Sequence, residues 1–334
     1  MRGGSVPCCA VHYVIATSFW NSLGHFFGDL ASVKPLPLVI ALALFALNLT
    51  IRSRAYFNTL RAAYPGEEFQ WRRIWGAYVA AFGFNNIVPA RGGDIVKLFL
   101  VHSSIEGSSY PAVASSFLVE GIFDFTIAIP VLAYASTFGV FPSFPDFATL
   151  DSADIAWLAQ NPSRTLFLIT AAAVLLLFVF AVLSVRVKAF WQRVRQGLSI
   201  LFDRRRYFNE VWLVQLAAWF AKAGSFWFML EAFGVGANIH NVLLMLACAA
   251  VATAVPFTPG GAGVQQALIV KVFAGAAGTS VIAAYSVGQQ VAISIFCFLL
   301  GLGALVFIFG FRSFGEVRRA GQEHRAAAKE AGKS

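Results

Sequence analysis

Charged side chains are scarce in this chain. Asp, Glu, Lys and Arg make up only 12% of its 334 residues, about half the share that is usual in a soluble domain. Hydrophobic residues account for 58%, and the mean hydropathy is +0.71. These values exclude an ordinary soluble domain, a disordered chain and a collagen. The composition therefore predicts an all-α polytopic membrane protein.

Cysteine is also scarce, and no cofactor-binding motif is present. Cys8 and Cys9 are adjacent at the start of the chain, whereas Cys248 and Cys297 lie inside apolar runs, so neither a disulfide framework nor a zinc-ligand spacing exists. The sequence also lacks a Walker motif and a nucleophile elbow. We therefore expect no metal and no cofactor. The formal net charge of +9 does not predict a nucleic-acid partner, because basic loops of membrane proteins report orientation.

Five apolar stretches approach the roughly 20 residues that a membrane-spanning helix needs. They are 35–52, 110–140, 164–185, 211–233 and 280–311. The connecting segments differ in charge: 52–73, 186–206 and 312–334 are basic, whereas 141–163 holds three Asp and neither Lys nor Arg. The positive-inside rule places basic segments in the cytoplasm. We thus expect a multi-pass protein of the plasma membrane with 141–163 outside and a cytoplasmic C-terminus.

Two further segments, 74–107 and 241–277, must return to the side of the membrane from which they start, because the flanking spans would otherwise have the wrong orientation. Helix-breaking residues interrupt the first at 85–94 and the second at 256–263. Both patterns predict re-entrant broken hairpins, one from each face. Together with the spans they predict an inverted repeat, an architecture of many secondary transporters. The alternative is that each broken segment is one kinked span or a surface helix.

The predicted membrane domain covers 35–312, and 313–334 form a basic cytoplasmic tail. The N-terminal segment 1–34 leaves two alternatives open. Residues 11–27 carry no formal charge and would form a first span that pairs with 164–185 by symmetry. The apolar residues in 11–31 also recur at spacings of three and four, which equally predicts an interfacial amphipathic helix.

Ionisable groups at membrane depth indicate function, because each costs roughly 2.5–3.5 kcal/mol to insert. We expect Arg91, Lys97 and Lys222 to hold a lipid phosphate, with Arg91 supplying a bidentate guanidinium. The carboxylates of Asp94, Glu120 and Asp124 would balance these charges or meet a cationic headgroup, and Glu120 and Asp124 would pair with Lys222 or Arg91. Alternatively, the charges only neutralise one another and lock the hairpin to the bundle. Asn85 and Asn86 either contact the ligand or satisfy broken backbone.

Prolines and glycines concentrate at the two breaks, where we expect them to shape the hairpins rather than to contact a ligand. The glycine-rich tips also expose backbone amides that would bind an anion, as helix N-termini do. The hairpin-shaping residues are Pro89, Gly92 and Gly93 in the first break and Pro256, Pro259, Gly260, Gly261 and Gly263 in the second.

The two breaks resemble motifs of a known family. Segment 85–94, followed by Lys97, is similar to the N-x-x-P-x-R-x-G-E…R stretch of the lysylphosphatidylglycerol synthase transmembrane region family. Segment 256–263 is similar to that family's P-x-x-P-G-G-x-G motif, and the spacing to Glu120 and Asp124 fits its E-R-x-x-D helix. The resemblance covers roughly residues 35–312. It implies a flippase-like integral membrane domain, which in some members is associated with moving aminoacylated phospholipid between leaflets.

Several positions depart from the family pattern. Asp94 and Lys97 stand where the family often has Glu and Arg, which keeps the charges. Gly121 and Gln290 stand where Arg is common, and Gln266, which we count as a candidate substrate ligand, stands where Glu is frequent. The second hairpin is therefore expected to be neutral. The aminoacyl-transferase domain of the bifunctional synthases is not in this sequence, so we do not expect lipid lysylation from this chain.

The expected function is transport rather than enzymatic chemistry: a lipid flippase for an anionic or aminoacylated phospholipid or a polyprenyl-phosphate-linked lipid. Its partners would be membrane lipids, together with a separate lipid-modifying or cell-envelope enzyme. One alternative is a membrane enzyme that transfers a group to or from a lipid-linked substrate, although 141–163 has no close acidic pair suited to a divalent metal. Another is a non-transporting envelope scaffold, in which buried charges would tolerate neutral replacement.

Overall fold

The computed structural model describes residues 32–88, 91–138, 188–253 and 259–310. Within these ranges the chain is helical, which confirms the predicted all-α class. The predictions for 1–31, 141–163, 164–185 and 313–334 lie outside the described residues, as do Pro89 and Pro256. The helices are α1 (Pro35–Ala63), α2 (Trp71–Asn85), α3 (Gly92–His102), α4 (Tyr110–Ser136), α5 (Lys188–Gly197), α6 (Arg204–Ala232), α7 (Ile239–Thr253), α8 (Val264–Val272) and α9 (Thr279–Phe309).

Four of the described helices, α1, α4, α6 and α9, are long and apolar enough to cross a membrane. They contain the predicted span 35–52 and nearly all of 110–140, 211–233 and 280–311. A proline in the first turn begins α1 and α4, where the missing N–H has no intrahelical partner to lose. Gly310 ends α9 in the left-handed conformation (φ 73°). Helix α1 continues to Ala63, so that Arg52 lies inside a helix and not in the loop that its charge predicts.

Helices α1 and α6 pack against each other and run antiparallel. The backbone N–H of Lys34 donates to the carbonyl of Ala232 at 3.0 Å, and the Ser225 hydroxyl donates to the carbonyl of Ala41 at 2.7 Å. Near the other end of the pair, the Asn58 amide donates to the carbonyl of Glu210 at 2.8 Å. Since α1 and α6 each begin one half of the fold, the two halves have opposite orientation, as an inverted repeat requires.

The first hairpin consists of α2 and α3 and returns to the end of the molecule at which it starts. Tyr64 follows α1 directly, and its hydroxyl accepts a hydrogen bond from the backbone N–H of Ser109, immediately before α4, at 3.2 Å. The hairpin lies between these two contacting residues in the sequence. It is therefore re-entrant, as loop parity predicts.

The second hairpin consists of α7, a 3₁₀ turn at Pro259–Gly261 and α8. Tyr285 lies in the first turns of α9. Its ring centre is 5.7 Å from that of Phe233, which precedes the hairpin, and 6.3 Å from that of Phe273, which follows α8. Both ends of this hairpin thus lie at the end of the molecule opposite to Tyr64. Each hairpin packs on the last long helix of the other half: α2 contacts α9, and α7 contacts α4.

The tips of the two hairpins meet between the halves. Gly260 has a φ of 55°, and a Cβ atom on it would lie 2.9 Å from the Asn86 side-chain oxygen and 2.8 Å from the Gln290 side-chain nitrogen. Gln290 lies eleven residues into α9, roughly 17 Å along the helix axis at 1.5 Å per residue. The meeting point is therefore near the middle of a hydrocarbon core about 30 Å thick.

Candidate functional site

Lys97 of the first hairpin is enclosed by aromatic rings and paired with Glu120 of α4. Its ammonium nitrogen lies 3.0 Å from Glu120 Oε2, and only 8% and 9% of the two side chains are exposed. The same nitrogen lies 3.8 Å from the ring centre of Tyr56 and 4.4 Å from those of Tyr78 and Phe117. Cation–π contacts and an ion pair together compensate the burial of this charge. The pair ties α3 to α4, which for these two residues supports the locking role.

Arg52 of α1 and Asp124 of α4 form a second ion pair with bidentate geometry. Arg52 Nη1 donates to Asp124 Oδ1 at 3.0 Å, and Nη2 donates to Oδ2 at 2.8 Å. Arg52 Nε donates to the Tyr78 hydroxyl at 3.0 Å. The Arg52 side chain is 19% exposed, whereas that of Asp124 is 51% exposed. Tyr78 links the two ion pairs, since its ring contacts Lys97 and its hydroxyl contacts Arg52.

The expected pairing of Glu120 and Asp124 with Lys222 or Arg91 is therefore wrong: the partners are Lys97 and Arg52. Sequence reasoning missed Arg52 because it marks the end of the apolar window and counts as a loop charge. A usable signal was present, since 52–63 contain neither Gly nor Pro and nothing there ends the helix.

Lys222 and Arg91 nevertheless lie close enough to the second ion pair to act on the charge of Asp124, together with Arg52. Lys222 is half-buried, and its nitrogen lies 5.9 Å from the ring centre of Phe226. Neither Lys222 nor Arg91 forms an ion pair with any of the residues that the structure describes. Two cations thus remain without a direct counter-ion beside one carboxylate.

Arg91 occupies an unusual backbone conformation at the tip of the first hairpin. It is exposed, it precedes α3, and its φ of 54° is the one positive value of a non-glycine residue within the described ranges. A left-handed conformation costs an L-residue roughly 1–2 kcal/mol. Such strain concentrates at functional sites. The strained backbone of Arg91 therefore points to a functional role for this tip residue.

The asparagines of the first hairpin form hydrogen bonds with backbone groups at the break. This is one of the two roles that the sequence predicts for them. Asn85 accepts a hydrogen bond from the Gly93 N–H at 2.8 Å and donates to the Asp94 carboxylate at 2.9 Å. Asn86 donates to the carbonyl of Phe82 at 2.8 Å. A Cβ atom on Gly93 would overlap the carbonyl oxygen of Ala81, so the two arms approach more closely than any side chain there would permit.

The second hairpin is neutral at its tip and uses its polar group locally. Gln266 Oε1 accepts a hydrogen bond from the backbone N–H of Gly263 at 2.5 Å, which caps α8. Gly260, Gly261 and Gly263 all have positive φ values, between 55° and 85°, which supports their predicted shaping role. In the first hairpin a Cβ atom on Gly92 would lie 2.6 Å from Val88 Cγ1.

The polar groups of the first half therefore form one cluster with Lys222 of the second half, between α1, α3, α4 and α6. Arg52 is eleven residues from the end of α1, and Lys222 is ten residues from the end of α6, so each lies roughly 15–17 Å from a helix end. The cluster has one net positive charge, since it holds four cationic side chains, Arg52, Arg91, Lys97 and Lys222, and three anionic ones, Asp94, Glu120 and Asp124.

Comparisons with known proteins agree with this architecture at the level of the family. Searches of the curated proteins and of the solved structures found no match to this chain. The family model described as "Lysylphosphatidylglycerol synthase TM region" matches residues 10–301, which include both hairpins and the charged cluster. The chain therefore belongs to the lysylphosphatidylglycerol synthase transmembrane region family, a family of membrane proteins linked to lipid handling.

Proposed function

We propose that this protein is a transporter that moves an anionic phospholipid, or a polyprenyl-phosphate-linked lipid, between the leaflets of the plasma membrane. The observation that carries the proposal is the net-positive cluster beside the meeting point of two opposed hairpins. Ionisable groups at this depth are retained for function by default, and broken helices that meet at the midplane form substrate sites in other transporters.

The charges of the cluster fit a phosphate group. Arg91 and Lys222 have no direct counter-ion among the described residues, and a phosphodiester would balance the one net positive charge of the whole cluster. Guanidinium binds phosphate oxygens in pairs, which positions a headgroup as well as attracting it. The same excess of positive charge disfavours a lysylated headgroup, so the anionic lipid is the better candidate of the two phospholipid classes that were expected.

The outer surface of α4 explains how a headgroup would enter while its tails stay in the bilayer. Phe125, next to Asp124, is 73% exposed, and Leu118 and Ile129 on the same helix are also largely exposed. Such a surface suits contact with acyl chains, because burial of apolar area against lipid is favourable. A phospholipid beside α4 would therefore place its tails on this surface and its phosphate near Asp124.

The two halves suggest how the site would open to either side. Each hairpin enters from its own end of the molecule and packs on the other half, so a small rocking of one half against the other would expose the cluster alternately. We place the end with Tyr64 in the cytoplasm, since the exposed Arg61, Arg72, Arg73 and Arg205 lie in elements at that end. The C-terminus would then be cytoplasmic.

The proposal is tested by the rate of lipid flipping in proteoliposomes. Vesicles would contain fluorescent phosphatidylglycerol, phosphatidylcholine or polyprenyl phosphate, and rates would be normalised to folded protein. Replacement Arg91→Lys keeps the charge and the backbone strain but loses the bidentate contact, so we expect the rate for the anionic lipid to fall at least about tenfold.

The matched control is Arg205→Lys, an exposed arginine in the first turn of α6 that makes no ion pair within the described ranges. It should flip lipid at the wild-type rate. Equal rates for Arg91→Lys and wild type would refute the phosphate contact of Arg91. A wild-type protein that moves none of the three lipids faster than empty vesicles would refute transport of these classes.

A further inference from the structure

The two carboxylates on α4 differ in how firmly they are held. Glu120 and its partner Lys97 are both more than nine-tenths buried, and three aromatic rings surround the ammonium group. Asp124 is about half exposed, although its partner Arg52 is mostly buried. One ion pair is thus enclosed by protein, while the other presents its carboxylate to whatever enters beside α4.

The geometry at Arg52 is that of an anion-binding site that already contains an anion. Both terminal nitrogens donate to the two carboxylate oxygens, at 3.0 and 2.8 Å. A phosphate group presents two oxygens to a guanidinium in the same parallel arrangement. The remaining nitrogen, Nε, donates to the Tyr78 hydroxyl at 3.0 Å, so the guanidinium is held from its inner side without help from Asp124.

We propose that Asp124 is an internal substitute for the substrate phosphate and that Arg52 is a further phosphate-binding residue. This inference rests on the proposed function and deepens it. The phosphate of an entering lipid takes the place of the Asp124 carboxylate on Arg52, while Arg91 and Lys222 contact it from the other sides. Asp124, being half exposed, turns away from Arg52.

An internal substitute has two physical consequences. It prevents a mostly buried guanidinium from standing unpaired between transport events, which would be strongly destabilising. It also lowers the apparent affinity for the substrate by the fraction of time in which Arg52 is free, which keeps binding reversible. Removal of the Asp124 charge should therefore tighten phosphate binding, whereas a merely structural ion pair predicts no gain.

The experiment measures binding of soluble probes to the full chain in detergent by titration calorimetry. The probes are dihexanoyl phosphatidylglycerol, a phosphodiester, and geranyl phosphate, a phosphomonoester. Dihexanoylglycerol, which lacks phosphate, is the blank. For Asp124→Asn we expect the dissociation constant of at least one phosphate probe to fall roughly tenfold if Arg52 is free in about a tenth of wild-type molecules. A phosphodiester preference indicates a phospholipid substrate, and a phosphomonoester preference indicates a polyprenyl carrier.

The matched control is Asp94→Asn, which removes one negative charge from the same cluster. An asparagine there can still accept the hydrogen bond from Asn85, and the Arg52–Asp124 pair remains. It should tighten binding far less than Asp124→Asn. Equal gains in the two variants would show that net charge alone acts, and this would overturn the proposal. Unchanged or weaker binding by folded Asp124→Asn would overturn it as well.

A second variant covers the case in which Asp124→Asn does not fold. Replacement Arg52→Lys keeps the charge and an ion pair with Asp124 but loses the bidentate contact, so phosphate binding should weaken several-fold. Unchanged binding would overturn the role of Arg52. The outcomes also separate this inference from the proposed function: tighter binding by Asp124→Asn without any flipping by wild type refutes transport alone, and flipping by wild type with no gain in binding refutes the substitute alone.

Discussion

The two halves of the molecule share one helical plan but differ in chemistry. The same interval of 169 residues separates Pro35 from Arg204, Tyr110 from Thr279, and Ala63 from Ala232, which are the matching ends of the long helices. At this interval Lys97 and Glu120 correspond to Gln266 and Gln289. A charged pair in the first half therefore corresponds to two neutral amides in the second.

The difference extends to how well the buried polar groups are bonded. In the first half Ser116 donates a hydrogen bond to the Tyr56 hydroxyl at 3.2 Å. Glu120, four residues after Ser116, forms an ion pair with Lys97. The corresponding residues of the second half are Tyr285 and Gln289, both completely buried. The Tyr285 hydroxyl and both amide atoms of Gln289 have no hydrogen-bond partner among the described residues.

The same backbone plan thus supports a buried ion pair in one half and, at the corresponding position Gln289, an amide without a partner among the described residues in the other. Burial of a polar group without a partner costs free energy, whereas a partnered charge resists removal of either member. The comparison teaches that an inverted repeat constrains the helices but not the side chains between them. Charged side chains in one half can correspond to neutral amides in the other.

The largest effect should follow from breaking the charged pair. Lys97→Met leaves Glu120 buried and unpaired, so we expect the free energy of unfolding to fall by about 3–5 kcal/mol. The double variant Lys97→Met, Glu120→Gln should recover a large part of this loss, because the stranded charge is gone. Thermal unfolding in detergent would measure both.

The matched change in the second half is Gln289→Leu, which removes a buried amide that has no partner among the described residues. It should be nearly neutral or slightly stabilising. A loss as large as that of Lys97→Met would contradict the contrast between the halves. Strict additivity of Lys97→Met and Glu120→Gln would show that the two charges are not coupled.

A smaller effect is expected where the first hairpin crosses α9. A Cβ atom on Gly83 of α2 would lie 2.5 Å from the carbonyl oxygen of Cys297, and one on Gly301 would lie 3.1 Å from Ala80 Cα. Helix α7, at the corresponding place in the second half, contains no glycine. Gly83→Ala should therefore lower stability by roughly 1–3 kcal/mol, because the helices must move apart.

The control for this close approach is Gly303→Ala, also on α9, where nothing lies within 4 Å of the added atom. It should be neutral or slightly stabilising, since alanine favours a helix more than glycine does. Thermal unfolding of the two variants in the same detergent makes the comparison. A stability loss in Gly303→Ala equal to that in Gly83→Ala would show that the crossing is not the cause.

The smallest expected effect concerns the two returning helices of the hairpins. Six of the eleven residues of α3 are buried, against two of the nine residues of α8. Fewer buried contacts lower the free energy of local opening. We expect backbone amides of α8 to exchange with deuterium roughly tenfold faster than those of α3, a difference of about 1.4 kcal/mol. Hydrogen-exchange mass spectrometry in detergent would test this, and equal protection would contradict the weaker bonding of the second half.

Local features of the sequence predicted the helices well. Apolar length predicted α1, α4, α6 and α9, because a helix must satisfy its backbone within a hydrocarbon core. Proline and glycine predicted the two breaks, because these residues end helices through their own backbone geometry. Loop charge predicted the opposed hairpins, and the contact of Tyr64 with Ser109 agrees with that prediction for the first of them.

Partner choice was not predictable in the same way. Glu120 pairs with a residue 23 positions away, and Asp124 pairs with one 72 positions away. Both carboxylates lie on α4, one turn apart, so periodicity assigns them to similar environments. Only the packing of α1 and α3 against α4 gives one of them an enclosed partner and the other an exposed position.

By itself, then, the sequence predicted the four long apolar helices, the two breaks and most of the charges of the cluster, because each of these depends on a short stretch of chain. The tertiary structure decided that Arg52 belongs to the cluster and that Tyr78 contacts both ion pairs. It also decided that the Asp124 carboxylate accepts two hydrogen bonds from the Arg52 guanidinium. These contacts join residues of different helices. Their geometry depends on how the helices pack, and the pattern of any single helix does not contain it.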